Sequence, residues 1–197
     1  MNTNRLESFS DGVLAVAITL LVLDIVVPKP GGGSLAHELG TRWPSYAAYV
    51  TSFLTIGIIW INHHAMISRL RGVDRVILML NLVLLMTVGV IPFATSLMAT
   101  YLKLGHGQTL AAGIYGGVLL AMSISFSVMN WHILFRKHHM LGERIEHERR
   151  RLILRRSIRG LLPYAVATGL APVSPYLTLA ICAAIAVYYA LPLGSGG

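Results

Sequence analysis

Charge is scarce in this sequence. Asp, Glu, Lys and Arg make up 12% of its 197 residues, about half their share in an ordinary soluble domain, while apolar side chains make up 55%. A chain so composed has too little polar surface to face water all round, so it is read as an integral membrane protein. Acids are few, with eight Asp and Glu in all, and neither G-x-S-x-G, H-E-x-x-H nor a phosphate-cradling P-loop occurs. An enzyme is therefore not expected. The one cysteine, Cys182, lies in an apolar run; it cannot form an intrachain disulfide and reads as a small buried hydrophobe. A basic n-region, short apolar core and small-residue cleavage site do not occur in that order before the first apolar stretch. That stretch is expected to be retained rather than cleaved.

Six apolar stretches predict an all-α, integral membrane six-helix bundle in one domain, 1–193. The spans fall at about residues 9–27, 44–66, 75–99, 109–135, 157–171 and 176–193. The first, from Phe9 to Val27, reaches roughly 28 Å, about the hydrocarbon thickness of a bilayer. Pro92 lies inside the third and is expected to kink it. On the fourth, Gly113, Gly116 and Gly117 with Ser123, Ser125 and Ser127 permit close helix packing. The fifth is short, flanked by Arg159 and interrupted by Pro163. The closing Gly-Ser-Gly-Gly, 194–197, reads as a linker remnant and is set aside.

The net charge of +8 acquires meaning once it is sorted by loop. Thirteen basic residues, Arg5, Arg69, Arg71, Arg75 and nine from Arg136 to Arg159, fall on one side of a six-span arrangement; Lys29, Arg42 and Lys103 fall on the other. Positive-inside counting puts both termini of this multi-pass chain in the cytoplasm. The charge is accounted for by membrane lipids, and a nucleic-acid partner is not expected.

The first span begins in a polar cluster. On a helical wheel Leu20, Leu23 and Val27 fall within about 40° of Val16, Thr19 sits about 60° away, and Ser10 and Asp11 lie on the opposite half. An ionisable Asp11 near the membrane boundary needs a partner inside protein. The candidates are Arg5, His63 or His64 at the inner end of the second span, and Asn81 on the third. Such a network either gates or merely packs, just as the apolar stripe alone would suit a lipid-facing or core helix. His63 and His64 point about 100° apart on a helix, and only His132 is left as another intramembrane ligand, so no metal or haem site is expected.

Arg5, then Phe9-Ser10-Asp11 opening a helix of the form FSDGVxAxxxTLLVLD, resembles the transmembrane protein 175 family of lysosomal potassium channels and their shorter bacterial relatives. Trp60-Ile61-Asn62-His63-His64 and the stretch Asn81 to Leu97, with Pro92-Phe93-x-Thr95, look like that family's second and third helices. The resemblance implies a single-repeat bacterial member in the inner membrane. It further implies a homotetramer whose four first helices line a path for K+ and other monovalent cations, with no cofactor. The positions matching the family's constriction are Val16, Leu20 and Leu23, with Thr19 as the pore-facing hydroxyl. Asp24, near the outer end, is either part of an acidic ring that concentrates cations or a single acid at the headgroups. No TVGYG run is present, so an ion would pass an apolar neck partly hydrated, with closure by dewetting. Two other readings stay open: a proton path through Asp11, His63 and His64, and a non-conducting structural membrane protein.

Overall fold

The computed structural model describes residues 3–28, 34–142 and 145–191, with only the backbone described at Asp24. Among these residues there is no strand, only an isolated bridge between Leu70 and Leu141. Helix α1 (Thr3–Leu20) tightens into a 3-10 turn over Leu21–Asp24. After the short α2 (Leu35–Thr41), Pro44 in the first turn opens α3 (Trp43–Ile67), where a missing N–H costs nothing. The chain continues through α4 (Arg75–Gly89), α5 (Ile91–Tyr101) and α6 (Gln108–Trp131), which ends in a π turn over His132–Arg136. Helices α7 (His147–Arg159), α8 (Leu161–Leu170) and α9 (Pro175–Ala190) follow.

Four helical stretches among the described residues are long and apolar enough to cross a membrane: Thr3–Leu23, Trp43–Ile67, Arg75–Tyr101 and Gln108–Arg136. Within the third, the helix breaks at Val90, because Pro92 has no N–H for the Val88 carbonyl and its ring crowds that oxygen. Pro163 acts likewise on the Arg159 carbonyl, and α7 gives way to α8 at Gly160. Helix α8 has 10 residues, which reach only about 15 Å. Helix α9 has 16 and is apolar throughout.

Helix α6 is the centre of the bundle and packs on α4, α5, α7, α8 and α9, whereas α1 packs on α3, α4 and α5 at its edge. Hydroxyls inside the bundle pair across helices: the Ser52 hydroxyl meets Thr95 Oγ1 at 2.8 Å and the buried Tyr115 hydroxyl at 3.0 Å. Close approach of α6 and α8 depends on Gly116, where a Cβ would lie 2.8 Å from Thr168 Oγ1 and 3.2 Å from its Cα. At Gly117 a Cβ would meet nothing within 4 Å. Gly116→Ala is thus expected to destabilise the fold by about 1–3 kcal/mol through overpacking, and Gly117→Ala to be neutral or better. Thermal unfolding of the two variants in detergent checks this; equal midpoints would show that the α6–α8 contact is not tight.

The loops sort by end of the bundle. The Arg69–Asp74 turn is tied to the segment after α6: Gly142 N–H donates to the Arg69 carbonyl at 2.7 Å, Arg71 N–H to the Met140 carbonyl at 2.9 Å, and Lys137 pairs with Asp74 at 2.9 Å. Asp74 also caps α4 by accepting from Ile77 N–H at 2.9 Å. The Lys137 ammonium and that amide hold its carboxyl below the ordinary range. At the opposite end, Lys103 donates to the Thr41 carbonyl at 3.2 Å and Arg42 to the Val26 carbonyl at 3.0 Å.

Candidate functional site

Helix α1 presents two faces of different character. Leu6, Ser10, Leu14 and Ala17 are buried, with Leu21 continuing their line, and their spacing of three or four residues keeps them on one side. On the other side Val16, Leu20, Leu23 and Val27 are 58%, 43%, 72% and 80% exposed. Among the described residues no helix covers this stripe, which runs from the middle of the span beyond its 3-10 end. The tightening over Leu21–Asp24 keeps the stripe in line, since at about three residues per turn Leu23 stands directly beyond Leu20. Thr19 is exposed beside it, and its hydroxyl donates to the Val16 carbonyl at 2.9 Å. With that proton engaged, the threonine oxygen turns only acceptor capacity toward the stripe. The Asp24 side chain lies outside the described residues.

Behind the stripe, the buried face is anchored by a directional chain of hydrogen bonds. His63 Nε2 meets Asn81 Oδ1 at 2.7 Å, Asn81 Nδ2 donates to Ser10 Oγ at 3.0 Å, and Ser10 Oγ donates to the Leu6 carbonyl at 2.8 Å. All three side chains are buried. Because the Asn81 oxygen only accepts, His63 Nε2 is the donor of this bond, while Nδ1 is buried with no hydrogen-bond partner among the described residues. Three helices, α1, α3 and α4, are fixed in rotation at this junction.

Beside it lies a second, more exposed ladder. Trp60 Nε1 donates to Asp11 Oδ1 at 3.0 Å, and Glu7 pairs with His64 Nδ1. Glu7 and Asp11 are one turn apart on α1, as Trp60 and His64 are on α3, so two antiparallel helices match rungs. Asp11 is only half-buried. Its acid is satisfied by the indole, and the route from α1 to Asn81 and His63 runs through Ser10 instead. Arg5 is exposed and makes no ion pair or hydrogen bond among the described residues. Phe9 is 53% exposed and lies off both ladders. The sequence motifs do not single out Glu7; its signal is the spacing of four from Asp11, which matches that of Trp60 to His64.

A family model described as the endosomal/lysosomal potassium channel TMEM175 matches residues 5–92, the segment that carries both faces of α1, the α3 ladder and Asn81. A potassium channel of Streptomyces collinus is 47% identical over 188 residues, 95% of this chain and 91% of that protein. A potassium channel of Chamaesiphon minutus is 38% identical over 193 residues, 96% of this chain and 94% of its own. Among solved structures, the crystal structure of a lysosomal potassium-selective channel TMEM175 homolog from Chamaesiphon minutus superposes with a TM-score of 0.85 at 37% identity, covering 99% of this chain and 98% of that one.

Proposed function

The chain belongs to the endosomal/lysosomal potassium channel TMEM175 family, a family of ion channels and not of enzymes, and we propose on that footing that it is a potassium-permeable cation channel. Four copies assemble with α1 innermost, and Val16, Leu20 and Leu23 form an apolar constriction that acts as gate and filter. The observation that carries this reading is the bare stripe on α1, set opposite a face locked by Ser10, Asn81 and His63. A helix fixed so firmly in rotation holds its exposed side toward one neighbour, and in a symmetric assembly that neighbour is its own copy.

Conduction follows from the side chains at the neck. No carbonyl ladder replaces the ion's water, so cations cross partly hydrated, and the neck closes when it dewets. The Thr19 oxygens, with their protons committed to the Val16 carbonyl, form a ring of acceptors, the polarity a cation needs. Asp24 is assigned to the outer mouth. The Ser10, Asn81, His63 junction and the Asp11–Trp60 and Glu7–His64 rungs hold α1 in place, with Arg5 and Phe9 completing the family motif.

In the membrane, 1–193 forms one six-span domain, with Thr3–Leu23, Trp43–Ile67, Arg75–Tyr101 and Gln108–Arg136 joined by the α7–α8 segment and α9. The Arg-rich end lies in the cytoplasm together with both termini, and the host membrane is the bacterial inner membrane. The ties between the Arg69–Asp74 turn and the Lys137–Gly142 segment support a shared side for these basic loops. A cysteine introduced beside Lys103 is expected to react with an impermeant thiol reagent from outside, and one beside Arg150 not to; the reverse pattern overturns this orientation.

Flux into liposomes tests the function itself. Potassium-dependent flux from the reconstituted chain is the expected result. Flux that follows only the proton gradient would transfer the role to the polar ladder, and the absence of both would leave a structural membrane protein.

A further inference from the structure

A cavity of about 500 Å³ opens among α3, α6, α7, α8 and α9 toward the Arg-rich end of the bundle, with no α1 residue in its lining. Ile58 and Ile61 from α3, Phe126 from α6 and Ile153 from α7 give it an apolar wall, beside polar side chains that include Asn62, Asn130 and Ser157. Arg69, just past the end of α3, and Arg156 on α7 bring two guanidinium groups to the same cavity, and no acidic side chain lines it among the described residues. Arg69 makes no ion pair among those residues. Partial burial, and after it the like charge of Arg149, lower its pKa, as for a cation held beside like charge. Helix α7 itself alternates arginines with the exposed apolar residues Leu152 and Ile158, the pattern of a helix lying in the headgroup plane.

From this arrangement we propose that the cavity is a binding site for an anionic phospholipid of the inner leaflet, its phosphate held by Arg69 and Arg156 and an acyl chain laid along the isoleucine and phenylalanine wall. The chemistry asks for both halves of such a ligand. Arginine forks match phosphate oxygens bidentately, while the apolar wall gains nothing from a small hydrated anion and is covered by a hydrocarbon chain. The volume far exceeds that of a phosphate ion, and Ile61, 60% exposed, leads from the cavity toward the lipid-facing surface. Seated there, a lipid would join α3, the channel-proximal helix that carries the Trp60 and His64 rungs, to the cytoplasmic helix α7.

Native mass spectrometry of the full chain in detergent tests this with phosphatidylglycerol and phosphatidylcholine of identical acyl chains. Retention of phosphatidylglycerol over phosphatidylcholine is expected, falling about tenfold for each arginine lost in Arg69→Gln and Arg156→Gln, since a charge-assisted hydrogen bond is worth about one decade or more in affinity. Ser123→Phe, which fills the cavity from α6, is expected to lower retention as well. Arg155→Gln, one residue from Arg156 but not lining the cavity, is expected to leave it unchanged. Arg69→Gln lies at an exposed position and carries the test alone if the filled variant does not fold. Equal retention of both lipids, or an equal loss in Arg155→Gln, would overturn the site in favour of generic attraction to a basic surface. Inorganic phosphate that competes as well as added phosphatidylglycerol would overturn the lipid assignment in favour of a free-anion site.

Discussion

Leu23→Asn and Val16→Asn are expected to raise potassium flux through reconstituted channels by about tenfold or more and to lower discrimination between potassium and sodium. The reason lies in what an apolar ring does to an ion. A charge without oxygen partners at the bilayer centre costs several kcal/mol, and removal of only about 1.4 kcal/mol of that barrier is a decade in rate. An amide at either position supplies oxygens from every subunit and keeps the neck wet. Both side chains are more than half exposed in the single chain, so the substitutions disturb no packing within the protomer. Val13 provides the control, because it lies about 60° off the stripe and packs against the core; Val13→Asn is expected to change flux and selectivity less. Thr19→Val keeps the shape and removes the acceptor ring, so it should erode potassium preference more than it changes flux. Unchanged currents in the Val16 and Leu23 variants, or equal effects at Val13, would move the conduction path to another helix.

The second large effect is expected at Asn81. Among the described residues Asn81→Ala strips the only partner from His63 Nε2, whose other ring nitrogen already has none, and removes the donor to Ser10 Oγ. A buried polar group left unpaired costs about 1–3 kcal/mol, and a side chain cut from the core adds a cavity term. In a fourfold assembly the loss recurs in each copy. Asn81→Ala is therefore expected to yield little assembled protein by size-exclusion chromatography and a clearly lower unfolding midpoint. Asp11→Ala should be milder, since Asp11 is half-buried and, among the described residues, is held by the Trp60 bond alone. A variant at Asn81 as stable as the parent would mean that the junction does not fix α1, and the case for a rotationally locked pore helix would fall with it.

Helical periodicity made one division on α1 legible in the residues alone: Val16, Leu20, Leu23 and Val27 fall on one side, and Ser10 falls on the other, whatever the neighbours are. The same local logic placed the break near Pro92, because a missing N–H acts within its own helix. Membrane class was legible too, since it follows from composition, which no packing arrangement alters. Candidate members of the polar network were legible as well, but which group takes which partner was not. That Ser10 reaches Asn81 while Asp11 takes Trp60, and that Glu7 meets His64, depends on how α1 and α3 are rotated and slid against each other. A shift of one residue would turn each side chain by about 100° and exchange the pairs. The cavity under α7 likewise arises only when Gly160, Tyr189 and the end of α3 are brought together. Spacing along one helix is set by the chain's own covalent geometry, whereas register between helices is set by the sum of many contacts across them, and only the folded bundle evaluates that sum.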